Sequence, residues 1–137
     1  MLISVKSGKN GQIKLKLLLD TNVIIDFLKQ NSAALDLSSL FLQHECFTSV
    51  IVKLELLKYP DIKPDEEKTI FEFLRLVPVI SLNESIENET IALSRSAKLK
   101  LPDALIGATA IVYGAEMVTR DSHFLECQYK KLRVWKG

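Results

Sequence analysis

The chain has 137 residues, 47% of them hydrophobic and 26% charged, so it is long enough for one domain with a real core and too apolar for a disordered chain. Eighteen basic residues against 17 acidic ones leave a formal charge of +1; with no global basic field, contact with nucleic acid would need a local patch or a bound cation. The N-terminus has no apolar signal-like stretch and no later segment is apolar for long enough to span a bilayer, so the default expectation is a cytoplasmic location with no membrane partner.

Residues 1–12 are polar and turn-rich and read as a leader or a short extra strand, ahead of one domain over 13–137. Ile13 to Leu19 starts with alternation and ends fully apolar, the pattern of a strand buried on both faces of an α/β sheet. Thr21 and Asn22 are helix-start residues, and Val23, Ile24, Phe27 and Leu28 form an apolar helical stripe. A second helix is expected over Ser32–Gln43, a short strand at Cys46–Thr48, and a third helix over Ser49–Tyr59 that Pro60 stops. Pro64 with Asp65, Glu66 and Glu67 opens another helix, its acids placed where the helix dipole favours them. Val77–Ile80 reads as a strand, and Pro78, which cannot donate to a ladder, puts it at an edge. A helix over Asn83–Lys98 follows, and Pro102 and Asp103 then open a helix with no further charge until Glu116, which marks it as central and buried. Met117–Thr119 and Leu132–Trp135 complete the strands. Such alternation predicts an α/β fold, a mostly parallel sheet covered by helices on both faces.

Cys46 and Cys127 match no metal or redox spacing and read as reduced thiols; His44 and His123 lack partners at ligand spacing and read as polar surface residues, His123 also as a candidate substrate contact. No Gly-rich phosphate loop or nucleophile elbow is present.

The informative residues are four acids in or beside apolar segments: Asp20, Glu55, Asp103 and Asp121. Each has a plain explanation: Asp20 as a helix cap, Asp103 as a first-turn acid, Glu55 as a partner of Lys58, Asp121 as a turn residue. They nevertheless share an address. Asp20 and Asp121 follow strands, Asp103 starts a helix at the same sheet edge, and Glu55 lies two turns into the helix after the second strand. Open α/β sheets place their sites beyond the carboxyl ends of strands. Four carboxylates brought together there would call for a cation, and oxygen ligands suit Mg²⁺ or Mn²⁺.

These same pieces resemble, in order and spacing, the PIN domain family and, within it, the VapC-type toxin ribonucleases of toxin–antitoxin pairs. They are Leu18-Leu19-Asp20-Thr21-Asn22-Val23-Ile24-Ile25-Asp26, Val52-Lys53-Leu54-Glu55-Leu56, Leu101-Pro102-Asp103-Ala104-Leu105-Ile106 and Val118-Thr119-Arg120-Asp121-Ser122-His123-Phe124. The resemblance implies a three-layer α/β/α sandwich and an endoribonuclease dependent on Mg²⁺ or Mn²⁺. It implies catalytic roles for Asp20, Glu55, Asp103 and Asp121, with Asp20, Asp103 and Asp121 as metal ligands and Asn22 and Thr119 as polar residues supporting them. Position 121 varies in the family between Asp and Asn. A small antitoxin and a homodimer are implied as partners beside RNA, and Phe41, Phe71 and Phe73 are aromatic residues that one core would not need. Arg120, Lys98 and Lys100 flank the acids and are candidates for contact with the RNA backbone. Two other readings stand beside this one. A non-catalytic PIN-like scaffold would bind RNA or protein without cutting. A phosphoacceptor receiver domain would need paired acids after the first strand and a lysine after the last, neither of which is evident.

Overall fold

Four residues of the first apolar run form β1 (Lys16–Leu19), and Leu17, Leu18 and Leu19 are each 0% exposed. A strand apolar on both faces is stable only where both faces are covered. The computed structural model describes residues 13–30 and 36–137; the leader at 1–12 and the start of the expected second helix, through residue 35, lie outside them.

After β1 come α1 (Thr21–Leu28), α2 (Leu37–Gln43), β2 (Glu45–Ser49), α3 (Val50–Leu57), α4 (Pro64–Leu76), β3 (Val79–Ile80), α5 (Glu84–Ser96), α6 (Leu101–Val112), β4 (Glu116–Val118) and α7 (Ser122–Leu125). The four strands pair in parallel in the order β3-β2-β1-β4. The chain steps outward from β1 through β2 to β3, then returns to the far side of β1. The right-handed rule for parallel crossovers assigns α1 to α4 to one face and α5 and α6 to the other, as expected of a three-layer α/β/α fold. The chain's path also makes the gap between β1 and β4 the point where strand order reverses, which is where such sheets open a crevice beyond their carboxyl ends.

Local chemistry explains the element ends. Asp20, Asp36, Ser49, Asn83 and Asp121 each accept a backbone N–H at a helix start. Pro78 sits at the edge strand, where its missing N–H costs nothing, and its carbonyl accepts from Thr48 N–H at 3.0 Å. The apolar helix α6 buries Ala104, Ile106, Gly107, Ala108, Thr109 and Ala110 against its surroundings. Gly107 permits the close approach of α5: a Cβ there would stand 3.1 Å from Leu93 Cδ2.

Three expectations change. The last strand is a single parallel bridge, Met117 to Val134, held by Met117 N–H to Arg133 O and Trp135 N–H to Met117 O, both 2.8 Å. His44 is buried rather than on the surface, because its Nδ1 accepts the Leu15 N–H at 3.1 Å beside the start of β1. Of the three phenylalanines thought surplus, Phe73 is buried and packs against both Phe27 and Phe41 with ring centroids 6.1 Å apart, so the core uses two of them; only Phe71 stays exposed.

Candidate active site

Asp20 is the first residue beyond β1, and its backbone N–H still pairs with Val118 O on β4 at 3.0 Å. The residue is 5% exposed and both carboxylate oxygens are engaged. Oδ1 accepts the Thr21 N–H at 2.8 Å, so the plain reading as a helix cap is correct as far as it goes. Oδ2 accepts the Thr119 hydroxyl at 2.7 Å, a bond that joins the ends of β1 and β4. Each oxygen keeps a second lone pair. Burial pushes the Asp20 carboxyl up to about 6; the bonds from Thr119 and Thr21 pull it back, and the charges of Asp103 and Glu55 add to the rise.

Glu55 projects from α3. Thr21 donates its hydroxyl to Glu55 Oε1 at 2.6 Å, tying the third helix to the first turn of α1. Asp103 stands in the first turn of α6, half-buried. Its carboxyl is raised chiefly by burial, then by the charges of Asp121 and Glu55, while His123 and Lys100 oppose the rise. Asp121 follows β4 and caps α7: its Oδ1 accepts the His123 N–H at 2.9 Å and lies 3.1 Å from His123 Nδ1. The charges of Asp103 and Glu55 thus reach Asp20, and those of Asp121 and Glu55 reach Asp103, at the carboxyl edge of the sheet.

The tightest group differs from the expected one. Among the described residues, Asp103, Asp121 and His123 each offer an atom such that all three lie within 4.8 Å of one another; Asp20 is not of this group, though the charge of Asp103 reaches it. The set of two carboxylates and an imidazole, with Asp20 and Glu55 near, fits a small divalent cation that accepts oxygen and nitrogen ligands. Thr21 was not foreseen in this site, and His123 was foreseen only as a substrate contact, not beside the acids that could hold a cation. A hydroxyl directly after Asp20 was a visible signal; for His123 there was only its position two residues after Asp121.

The remaining candidates are placed as follows. Thr119 supports Asp20 and also accepts the Asp121 N–H at 3.0 Å. Asn22 Oδ1 accepts the Arg120 N–H at 3.3 Å. Arg120 forms a two-pronged pair with Asp26, at 2.6 and 3.1 Å, which occupies the guanidinium on α1 rather than over the acids. Lys100 precedes α6 and is exposed, as is Lys98.

Fold and site together define a parallel α/β domain with an acidic centre at its topological switch point. The family model of the PIN domain matches residues 17–128, and the chain belongs to that family. It is similar to the structure of VapBC2 from Rickettsia felis bound to a DNA fragment from the promoter, at 20% identity and TM-score 0.74, covering 88% of this chain and 98% of that one. It is also similar to a toxin–antitoxin complex from Klebsiella pneumoniae, at 28% identity and TM-score 0.70, covering 85% and 94%. VapBC-1 from nontypeable Haemophilus influenzae matches at 20% identity and TM-score 0.69, covering 88% and 97%. No curated protein matches the chain.

Proposed function

We propose that this PIN domain is a divalent-metal-dependent endoribonuclease, the toxin of a toxin–antitoxin pair. The observation that carries the reading is the meeting of Asp20, Glu55, Asp103 and Asp121 at one sheet edge, where burial and mutual repulsion raise Asp20 and Asp103. Such a centre is relieved by a cation, and Mg²⁺ or Mn²⁺ suits its donors. Membership of the PIN family and likeness to toxin–antitoxin structures support the same assignment.

Asp103, Asp121 and His123 would hold the ion, with Asp20 at its side. When bound, it would lower the pKa of a coordinated water and offset charge on the phosphoryl oxygens. Glu55, held through Oε1 by Thr21, has Oε2 left to accept from the attacking water and aim it. Thr119 fixes the Asp20 carboxylate so that its charge faces the site without a rotamer search. Attack by water breaks one P–O bond and leaves a linear phosphate monoester and a hydroxyl.

An antitoxin partner follows from the same likeness. A homodimer rests on exposed apolar side chains such as Leu42 (88% exposed) and Leu76 (77%). Among the described residues no helix is long and apolar enough to cross a membrane. Purified protein incubated with total cellular RNA should give discrete fragments with Mg²⁺ or Mn²⁺, none with EDTA, and none from Asp20→Asn. A folded wild-type protein that binds metal and leaves RNA intact would instead be a non-catalytic scaffold.

A further inference from the structure

A groove of about 660 Å³ is lined by the end of α5, the segment after α7 and His123. Its walls carry Lys98, Lys130 and Lys131 against one acid, Glu126. In a chain whose total charge is only +1, that is a local basic excess directly beside the acidic centre. Neither Lys98 nor Lys130 has a carboxylate partner among the described residues, and both are exposed. The wall is built in advance. Glu89 on α5 accepts the Tyr129 hydroxyl at 2.8 Å and pairs with Lys131 at 3.6 Å, which fastens the segment after α7 to the helix opposite.

We infer that this groove is the track of single-stranded RNA on one side of the phosphate to be cut. The inference rests on the ribonuclease reading for the identity of the ligand. Lysines set beside the apolar and aromatic side chains of Leu99 and Tyr129 are the combination that follows a nucleic-acid backbone while accommodating unpaired bases. His123 belongs to both features: it lines the groove, and it offers a ligand atom within 4.8 Å of those of Asp103 and Asp121. A strand whose phosphates meet Lys98 and Lys130 therefore arrives at the acids, which without flanking cations would repel it. Lys131, already paired with Glu89, holds the wall and contributes less to the contact.

The test uses the double variant Lys98→Gln/Lys130→Gln, with Lys63→Gln/Lys68→Gln, two exposed lysines at the cap and in the body of α4, as control. Binding of a fluorescent single-stranded RNA of mixed sequence is followed by anisotropy in EDTA over a range of salt, and cleavage by kcat/KM with Mn²⁺. The groove variant should lower the salt slope by about 0.7 for each lysine lost and reduce kcat/KM, with Mn²⁺ affinity and melting temperature unchanged. The control should match wild type. A groove variant equal to wild type in slope and kcat/KM overturns the inference while leaving the ribonuclease reading intact. Absence of metal-dependent cleavage by wild type overturns that reading instead, and the slope still decides the groove. Wild-type protein that binds no RNA overturns both.

Discussion

Thr119 donates its hydroxyl to Asp20 Oδ2 at 2.7 Å across 99 positions of sequence, and Thr119 Oγ1 accepts the backbone N–H of Asp121 at 3.0 Å. One side chain thus links the acid after β1 to the acid after β4. Thr119→Val keeps the shape and removes both bonds. The expected loss of stability is about 1.5–3 kcal/mol, the usual range for a hydrogen bond to a charged group. The Asp20 carboxyl should rise further, because Thr119 is the strongest influence lowering it. Urea unfolding at pH 7 measures the first effect; Mn²⁺ titration should show weaker binding as well.

The apo protein should lose stability as pH rises through the titration of Asp20. Its folded value of about 6 exceeds the ordinary 3.8, so the folded chain binds the proton more tightly than the unfolded one. The penalty is absent below about pH 4, grows through pH 6 and is complete above it, reaching about 3 kcal/mol. Asp20→Asn should flatten this dependence and make the apo protein more stable than wild type at pH 7. Unfolding curves at pH 4, 5, 6 and 7 for both proteins check the sign; parallel profiles would refute it. Divalent metal should stabilise wild type more at pH 7 than at pH 5, since a protonated carboxyl is a poor ligand.

Arg120 is engaged with Asp26, whose carboxylate it holds below the usual range, and its backbone N–H is engaged with Asn22. It therefore anchors the turn that carries Asp121. Arg120→Ala should weaken Mn²⁺ binding and leave the salt dependence of RNA affinity unchanged. A smaller salt slope with intact metal binding would show that the guanidinium meets a phosphate instead.

Gly107 tests the packing of α6 on α5. Gly107→Ala gains helix propensity of about 1 kcal/mol and must displace only the tip of Leu93, 3.1 Å from the new Cβ, so its melting temperature should stay near that of wild type. Gly107→Leu has no such room, with Phe124 and Leu132 also 3.5 Å from the Cβ position, and should cost about 1–3 kcal/mol.

The order of strands and helices was legible because Leu17–Leu19 and α6 are apolar on all sides, and because Pro60, Pro64, Pro78 and Pro102 mark their boundaries. The address shared by Asp20, Glu55, Asp103 and Asp121 was legible because a carboxylate beside a core needs a reason. What was not legible depends on tertiary pairing. Arg120 meets Asp26 across 94 positions, and no local pattern gives that. His123 enters the site through the first turn of α7, four residues long and too short to show a period. His44 is buried where Leu15, 29 positions away, lends it a donor.

The most direct measurement is the chemistry of the RNA ends. A synthetic RNA carrying the preferred cut site, with a single 2′-deoxy sugar at the scissile position, is incubated with purified protein and Mn²⁺, and the termini are identified by mass spectrometry. The account predicts cleavage of this RNA to linear phosphate monoesters, lost with EDTA and in Asp103→Asn. Loss of cleavage on removing the 2′-hydroxyl, 2′,3′-cyclic phosphate ends on the all-ribose RNA, or cutting that persists in EDTA would contradict hydrolysis by a metal-held acidic centre.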